Sequence, residues 1–168
     1  MAFTELQKLW WERIFERDRQ VFTDKDTLDV KTGLILVILI FLAGQSAEFL
    51  KSSTTFLERF TQYLSITFLI IGGIFAVAEL WPRTFFEEAE PQEYEERLSL
   101  LKNYYEDEPN PEEFALTRAM EERLEAAHTR IRKNIAINEE KSSLLNRSFY
   151  FVVISLAANL AMLAIRLF

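Results

Sequence analysis

The sequence predicts an all-α membrane protein: three transmembrane helices, an N-terminal amphipathic helix, and a cytoplasmic helical segment continuous with the last span. Three observations predict it. Hydrophobic residues make up 49% of the 168-residue chain. They collect into three blocks close to the ~20 residues that cross a ~30 Å hydrocarbon core. All four glycines (Gly33, Gly44, Gly72, Gly73) fall inside the first two blocks, and all four prolines (Pro82, Pro91, Pro109, Pro111) fall in the polar stretch that follows. The third block, "FYFVVISLAANLAMLAI", is apolar on every side, whereas a helix of a soluble bundle, the competing explanation, keeps a polar face.

Residues 1–22 are charged throughout and carry no apolar core of a signal peptide. They read as an amphipathic interfacial helix opening on a Thr4-x-x-Gln7 capping box. Leu6, Trp10, Trp11, Ile14 and Phe15 form its apolar stripe; headgroup binding and packing against other helices both explain that stripe. The transmembrane hairpin then occupies 30–81, with spans at 30–50 and 63–81. Gln45 and Glu48 interrupt the outer third of the first span, so a full crossing and a partly re-entrant course stay open. Pro82 ends the second span, and 82–147 is a cytoplasmic helical segment. Within it, 91–105 places Tyr94, Leu98, Leu101 and Tyr105 on one face. Asn110-Pro111-Glu112-Glu113 is a strong helix start. No proline or glycine follows Pro111, so one helix of roughly 55 residues, about 80 Å long, is expected to run into the third span at 148–168. A break near Ser142-Ser143 is the alternative.

Lysine and arginine cluster before the first span and between spans two and three, while Lys51 and Arg59 alone occupy the short connection. The positive-inside rule therefore places the N-terminus and 82–147 in the cytoplasm and the C-terminus outside. The formal charge of −7 and the absence of any large basic face argue against nucleic acid as a partner. The lack of cysteine removes disulfides and thiolate metal sites, and a lone histidine, His128, leaves no material for a histidine metal centre or triad. No metal and no cofactor is expected. Arg123 and His128 match the Arg-x4-His spacing of HEPN ribonucleases, a short pattern that recurs by chance in charged helices. The acidic runs at Glu87-Glu88-Ala89-Glu90 and Glu106-Asp107-Glu108 attract cations or keep a linker solvated.

On the long helix, Met120, Leu124, Ala127 and Ile131 follow the spacing of a packing seam. The same register lands on Asn134, Asn138 and Lys141, which are candidates for ligand binding or gating, and then on Leu145. Polar groups within the spans are costly and face partners or water; Glu48, Glu79, Asn159 and Arg166 are the membrane polar or lining candidates. A hairpin turning near residue 55 brings Lys31 level with Glu79, and Glu48 level with Arg166. Asn159 is expected to bond across helices or to line a water path. Small pairs at four-residue spacing (Ala43/Ala47, Gly72/Ala76, Ala157/Ala161) permit close helix contact.

Asp29-x-Lys31 opening the first span, "LWPR" closing the second, "EYEERL" in the polar segment and "KNIAINEEKSSLL" leading into the last resemble the small transmembrane effectors of bacterial anti-phage defence. These are the Pycsar-type membrane effectors and the SLATT-like modules. In that family Asp-x-Lys-Ala begins the first membrane helix; here Thr32 replaces the alanine, and no separate nucleotide-binding domain is seen. The resemblance implies a homo-oligomer in the bacterial inner membrane that permeabilises or depolarises it once triggered by a cyclic nucleotide or a defence partner protein. Such an effector is not an enzyme. A rival reading is a non-conducting adaptor that docks a soluble partner through its cytoplasmic helices, and a third is a membrane-tethered ribonuclease using Arg123 and His128.

Overall fold

Helix starts and stops follow local chemistry. In the computed structural model, which describes residues 5–88 and 91–167, four helices account for the regular structure: α1 (Glu5–Lys51), α2 (Phe56–Leu80), α3 (Pro91–Tyr104) and α4 (Pro111–Leu167). Thr55 caps α2 in a full capping box: its hydroxyl accepts from Glu58 N at 3.2 Å, and Glu58 accepts in return from Thr55 N at 3.2 Å and Thr54 N at 2.7 Å. Pro82 follows the last turn of α2, where a missing N–H and a fixed φ stop the helix. Pro111 is the first residue of α4, with Glu112 and Glu113 in the first turn, where negative charge meets the positive end of the helix dipole. No break occurs at Ser142-Ser143.

Residues 5–22 are not a separate helix. Nothing in "DKDTLDVK" breaks a helix, since it holds neither glycine nor proline, and α1 runs through it without interruption. The Thr4-x-x-Gln7 cap lies outside the described residues.

The chain divides into two units: Met1–Thr23 with Thr84–Ile137, and Asp24–Arg83 with Asn138–Phe168. In the first, the polar unit, Ile14 and Val21 of α1 pack with Ala127 and Ile131 of α4, and Leu124 and Ile135 close the cluster. Of the N-terminal apolar stripe, Ile14 lies in this cluster, whereas Trp10 is exposed. A buried ion pair, Arg130 to Asp18 at 2.7 Å, ties the same two helices.

In the second unit the three apolar helical stretches pack along seams spaced alternately three and four residues apart. Helix α1 contributes Thr32, Ile35, Leu39, Leu42 and Ser46; α2 contributes Glu58, Gln62, Ser65, Leu69, Gly72, Ala76 and Glu79; α4 contributes Lys141, Leu145, Ser148, Val152, Ser155, Asn159 and Met162. This is the 3.5-residue repeat of coiled-coil packing. The polarity is inverted relative to a water-soluble bundle. Large apolar side chains such as Leu34, Ile40, Phe41, Ile70, Ile74, Val153 and Leu160 are exposed, while serine, glutamine, asparagine and charged groups are buried. Water does not select that arrangement, and hydrocarbon does. All three helices are long and apolar enough to cross a membrane, and this second unit is the membrane unit.

Of the three small-residue pairs, Gly72/Ala76 lies in a seam, and both alanines of each other pair are exposed. At Gly72 α2 and α4 approach closely. A Cβ there would stand 3.2 Å from Phe151 Cβ and 3.4 Å from the Ser148 carbonyl oxygen, whereas a Cβ on Gly73 would meet nothing within 4 Å. Gly72→Val is therefore expected to destabilise the membrane unit by about 1–3 kcal/mol through overpacking. Gly73→Ala is expected to be neutral or stabilising by up to about 1 kcal/mol. Thermal unfolding in detergent, followed by far-UV circular dichroism, distinguishes the two.

Candidate functional site: the polar interior of the membrane unit

Helical periodicity puts two polar layers in the membrane unit, separated by an apolar one. At one end Lys141 of α4 is 4% exposed and forms ion pairs with Asp29 of α1 and with Glu79 of α2, the latter at 3.3 Å. One cation thus joins two carboxylates from two other helices. Glu79 is fully buried, and neither of its oxygens has a hydrogen-bond partner among the described residues, so the ion pair is its whole compensation. Thr32, a turn beyond Asp29, donates back to Leu28 O at 3.0 Å.

The apolar layer is Ile35, Leu39, Leu42, Leu69, Ala76, Leu145 and Val152, packed together at the centre. Beyond it comes a hydroxyl–amide knot. Ser46 of α1 donates to Asn159 Oδ1 at 3.1 Å and lies 3.1 Å from the Ser65 hydroxyl of α2; Asn159 Nδ2 donates to Ser65 Oγ at 3.2 Å, and Ser65 and Ser155 hydroxyls are 2.7 Å apart. All three helices meet in these four residues. Gln62, three residues before Ser65 on the same face of α2, is fully buried with neither end of its amide hydrogen-bonded to a described residue. At the far end Arg166 donates to Ser52 Oγ at 2.8 Å and to Phe49 O at 3.2 Å, and stands 3.8 Å from Glu58.

Several expected partners differ. Glu79 pairs with Lys141 and not with Lys31, because Lys31 is two residues, about 200° of helical turn, from Asp29 and is exposed. Arg166 meets Glu58 and not Glu48, because Glu58 faces inward from the capping box while Glu48 faces out and pairs with Lys51 at 3.0 Å. Glu48 therefore does not line the interior of the bundle. The gating trio is divided: Asn134 belongs to the polar unit, whereas Asn138, half-buried, and Lys141 belong to the membrane unit. Asn134 is fully buried, accepts from Phe86 N and donates to Phe86 O, each at 2.9 Å. Those bonds pin the extended segment after α2 and use the amide structurally. Gln62, Ser46, Ser65, Ser155 and Glu58 were not anticipated as interior groups. The signal was present in α2, where polar residues recur at 58, 62, 65 and 79 in one seam register.

The polar unit carries a second feature. A groove of about 720 Å³ is lined by Trp11, Tyr94, Leu98, Leu116 and Met120, with Arg97 and Arg123 among its walls. Arg97 makes a two-pronged bond to Glu122 at 2.8 and 3.0 Å, which holds its guanidinium above the ordinary value. Arg123 pairs with Glu88, its guanidinium 4.5 Å from the Tyr94 ring and 5.2 Å from those of Trp11 and Phe15. His128 packs against Trp10 at 6.0 Å.

Replacing Lys141 by Met leaves Asp29 and a buried Glu79 uncompensated, and is expected to lower stability by about 3–5 kcal/mol. Adding Glu79→Gln should restore part of that loss; a double variant no better than Lys141→Met in detergent unfolding would mean that Glu79 contributes nothing to the cluster. Asn134→Ala is expected to destabilise by about 1–3 kcal/mol, since it removes the two hydrogen bonds that hold the Phe86 backbone, read out in the same assay.

No curated protein and no solved structure is significantly similar to the chain. A family model described as the Pycsar effector protein domain matches residues 19–168, covering α2, α3, α4 and all but the first turns of α1. The chain belongs to the Pycsar effector family, the transmembrane effectors of anti-phage defence.

Proposed function

We propose that this effector assembles into a homo-oligomer and permeabilises or depolarises the bacterial inner membrane when a nucleotide signal or a partner protein triggers it. In this reading the N-terminus and 82–147 are cytoplasmic, the C-terminus is periplasmic, and no catalytic step is involved. The observation that supports it best is the incomplete bonding of the membrane interior. Gln62 and Glu79 are fully buried without hydrogen bonds to described residues, and such groups weigh heavily in hydrocarbon. A second arrangement of the helices that pairs or hydrates them competes with the closed one, and a ligand favouring that arrangement shifts the balance. Lys141, Asp29 and Glu79 form the latch of the closed state.

The trigger acts on the polar unit, which shares α1 and α4 with the membrane unit. Its groove offers Trp11 and Tyr94 as stacking faces, and Arg97 and Arg123 as phosphate ligands in competition with Glu122 and Glu88. The same groove supports the adaptor reading, since a soluble partner's apolar side chains would fill it.

Purified protein in dye-loaded vesicles decides between them. Triggered release, absent in vesicles without protein, is expected; an assembly that never leaks under any trigger favours the adaptor. Deleting 90–110, which removes α3, is expected to alter or abolish the triggered response, and an unchanged response would remove the polar unit from the triggering step.

A further inference from the structure

The lipid-facing side of α1 breaks the rule that the rest of the membrane unit obeys. Ile40, Phe41, Gly44, Gln45, Glu48 and Phe49 line a shallow groove of about 450 Å³ there, and Gln45 and Glu48 are exposed within it. Gln45 lies six residues before Lys51, the end of α1, about 9 Å along the helix axis and inside the apolar stretch 30–50. Two exposed hydroxyls on the outer surface bond locally: Thr61 donates to Leu57 O at 2.9 Å and Thr67 to Tyr63 O at 2.8 Å. Gln45 makes no hydrogen bond to a described residue. An amide cannot be satisfied by lipid tails, so another protein surface must cover it.

We infer that this face of α1 is where copies of the chain meet in the membrane, with Gln45 side chains bonding to one another and Glu48 facing the shared axis. A second copy fits the chemistry because a primary amide carries donors and acceptors together, so identical residues brought together by rotational symmetry satisfy each other. Gly44 adjoins Gln45, with nothing within 4 Å of where its Cβ would stand, and leaves room for a second backbone. The route for ions also points outward. The interior of one copy is filled by Ile35, Leu39, Leu42, Leu69, Leu145 and Val152, whereas Glu48 stands outside it, and a ring of Glu48 carboxylates would favour cations. The inference rests on the proposed assembly and names its interface.

The chain has no cysteine, so a single substitution adds a unique thiol. Full-length Gln45→Cys in phosphatidylcholine–phosphatidylglycerol vesicles, oxidised with copper phenanthroline, is expected to give about tenfold more covalent dimer than Ile74→Cys on α2 or Leu160→Cys on α4. Equal cross-linking at the three positions, or a preference for α2 or α4, overturns the interface. Gln45→Leu is expected to weaken association about tenfold by fluorescence energy transfer, with helix content unchanged; unaltered transfer also overturns it. Glu48→Lys should turn a cation-selective leak toward anions. Cross-linking at Gln45 without leakage upholds the interface and defeats permeabilisation; leakage from a chain that stays monomeric does the reverse.

Discussion

A bilayer offers no hydrogen bonds, and that constraint decides which side of every helix in the membrane unit is polar. Polar side chains must find partners within protein, so Ser46, Ser65, Ser148, Ser155 and Asn159 turn inward. Apolar residues, indifferent to lipid, turn outward. A heptad spacing is what lets one helix present the same polar seam to two neighbours over its whole length. Ser46, Ser65, Ser155 and Asn159 meet the demand together, with bonds of 2.7–3.2 Å. Gly72 keeps α2 and α4 near enough for the Ser148 hydroxyl to reach the Gly72 carbonyl at 2.8 Å.

The ionic end of the seam is held by different physics. Burying the Lys141 and Glu79 charges, with Asp29 partly exposed beside them, is unfavourable unless attraction and geometry compensate. Here one lysine faces two carboxylates, leaving a net negative cluster in which Glu79 relies on a 3.3 Å ion pair alone. Such a cluster joins three helices through one cation. The exposed pairs of the polar unit, among them Lys102–Glu112 at 3.0 Å and Arg118–Glu121 at 3.2 Å, are a different matter, since water screens them to about 1 kcal/mol or less each.

Helix class, three apolar spans and the uninterrupted long helix were legible because hydropathy and the absence of proline and glycine after Pro111 act locally. The seam through Leu124, Ala127 and Ile131 was legible too, and it carried Lys141 into the interior, while Asn159 stood out as a polar residue within a span. What hydropathy could not supply was azimuth. Lys31 and Asp29 are two residues apart, and only the helical phase sends one to Lys141 and the other to the surface. Serine is nearly neutral on hydropathy scales, so the hydroxyl knot was invisible until polar residues were sorted by register. Asn134 misled for the opposite reason: its register was right, but its partner, the Phe86 backbone, comes from a segment without periodicity. The N-terminal segment joins the first span in one helix because nothing between them breaks it, although the division between the two units falls at Thr23.

Energetics decide whether such a seam can serve a switch. Opening the latch costs about 3–5 kcal/mol if Lys141 loses its carboxylates outright. Providing Gln62 with partners returns about 1–3 kcal/mol. The difference, about 0–4 kcal/mol, is the gap that a ligand has to overcome in the proposed mechanism. Moving such an equilibrium from about 1:99 to 99:1 takes about 5.5 kcal/mol of differential binding, less than the total binding free energy of a micromolar ligand, about 8 kcal/mol. A seam bonded perfectly throughout would place the second state beyond any single trigger, and one without the Lys141 cluster would leave the membrane unit poorly closed. The incomplete pairing at Gln62 and Glu79 is, on this reasoning, the property that makes the proposed mechanism energetically available.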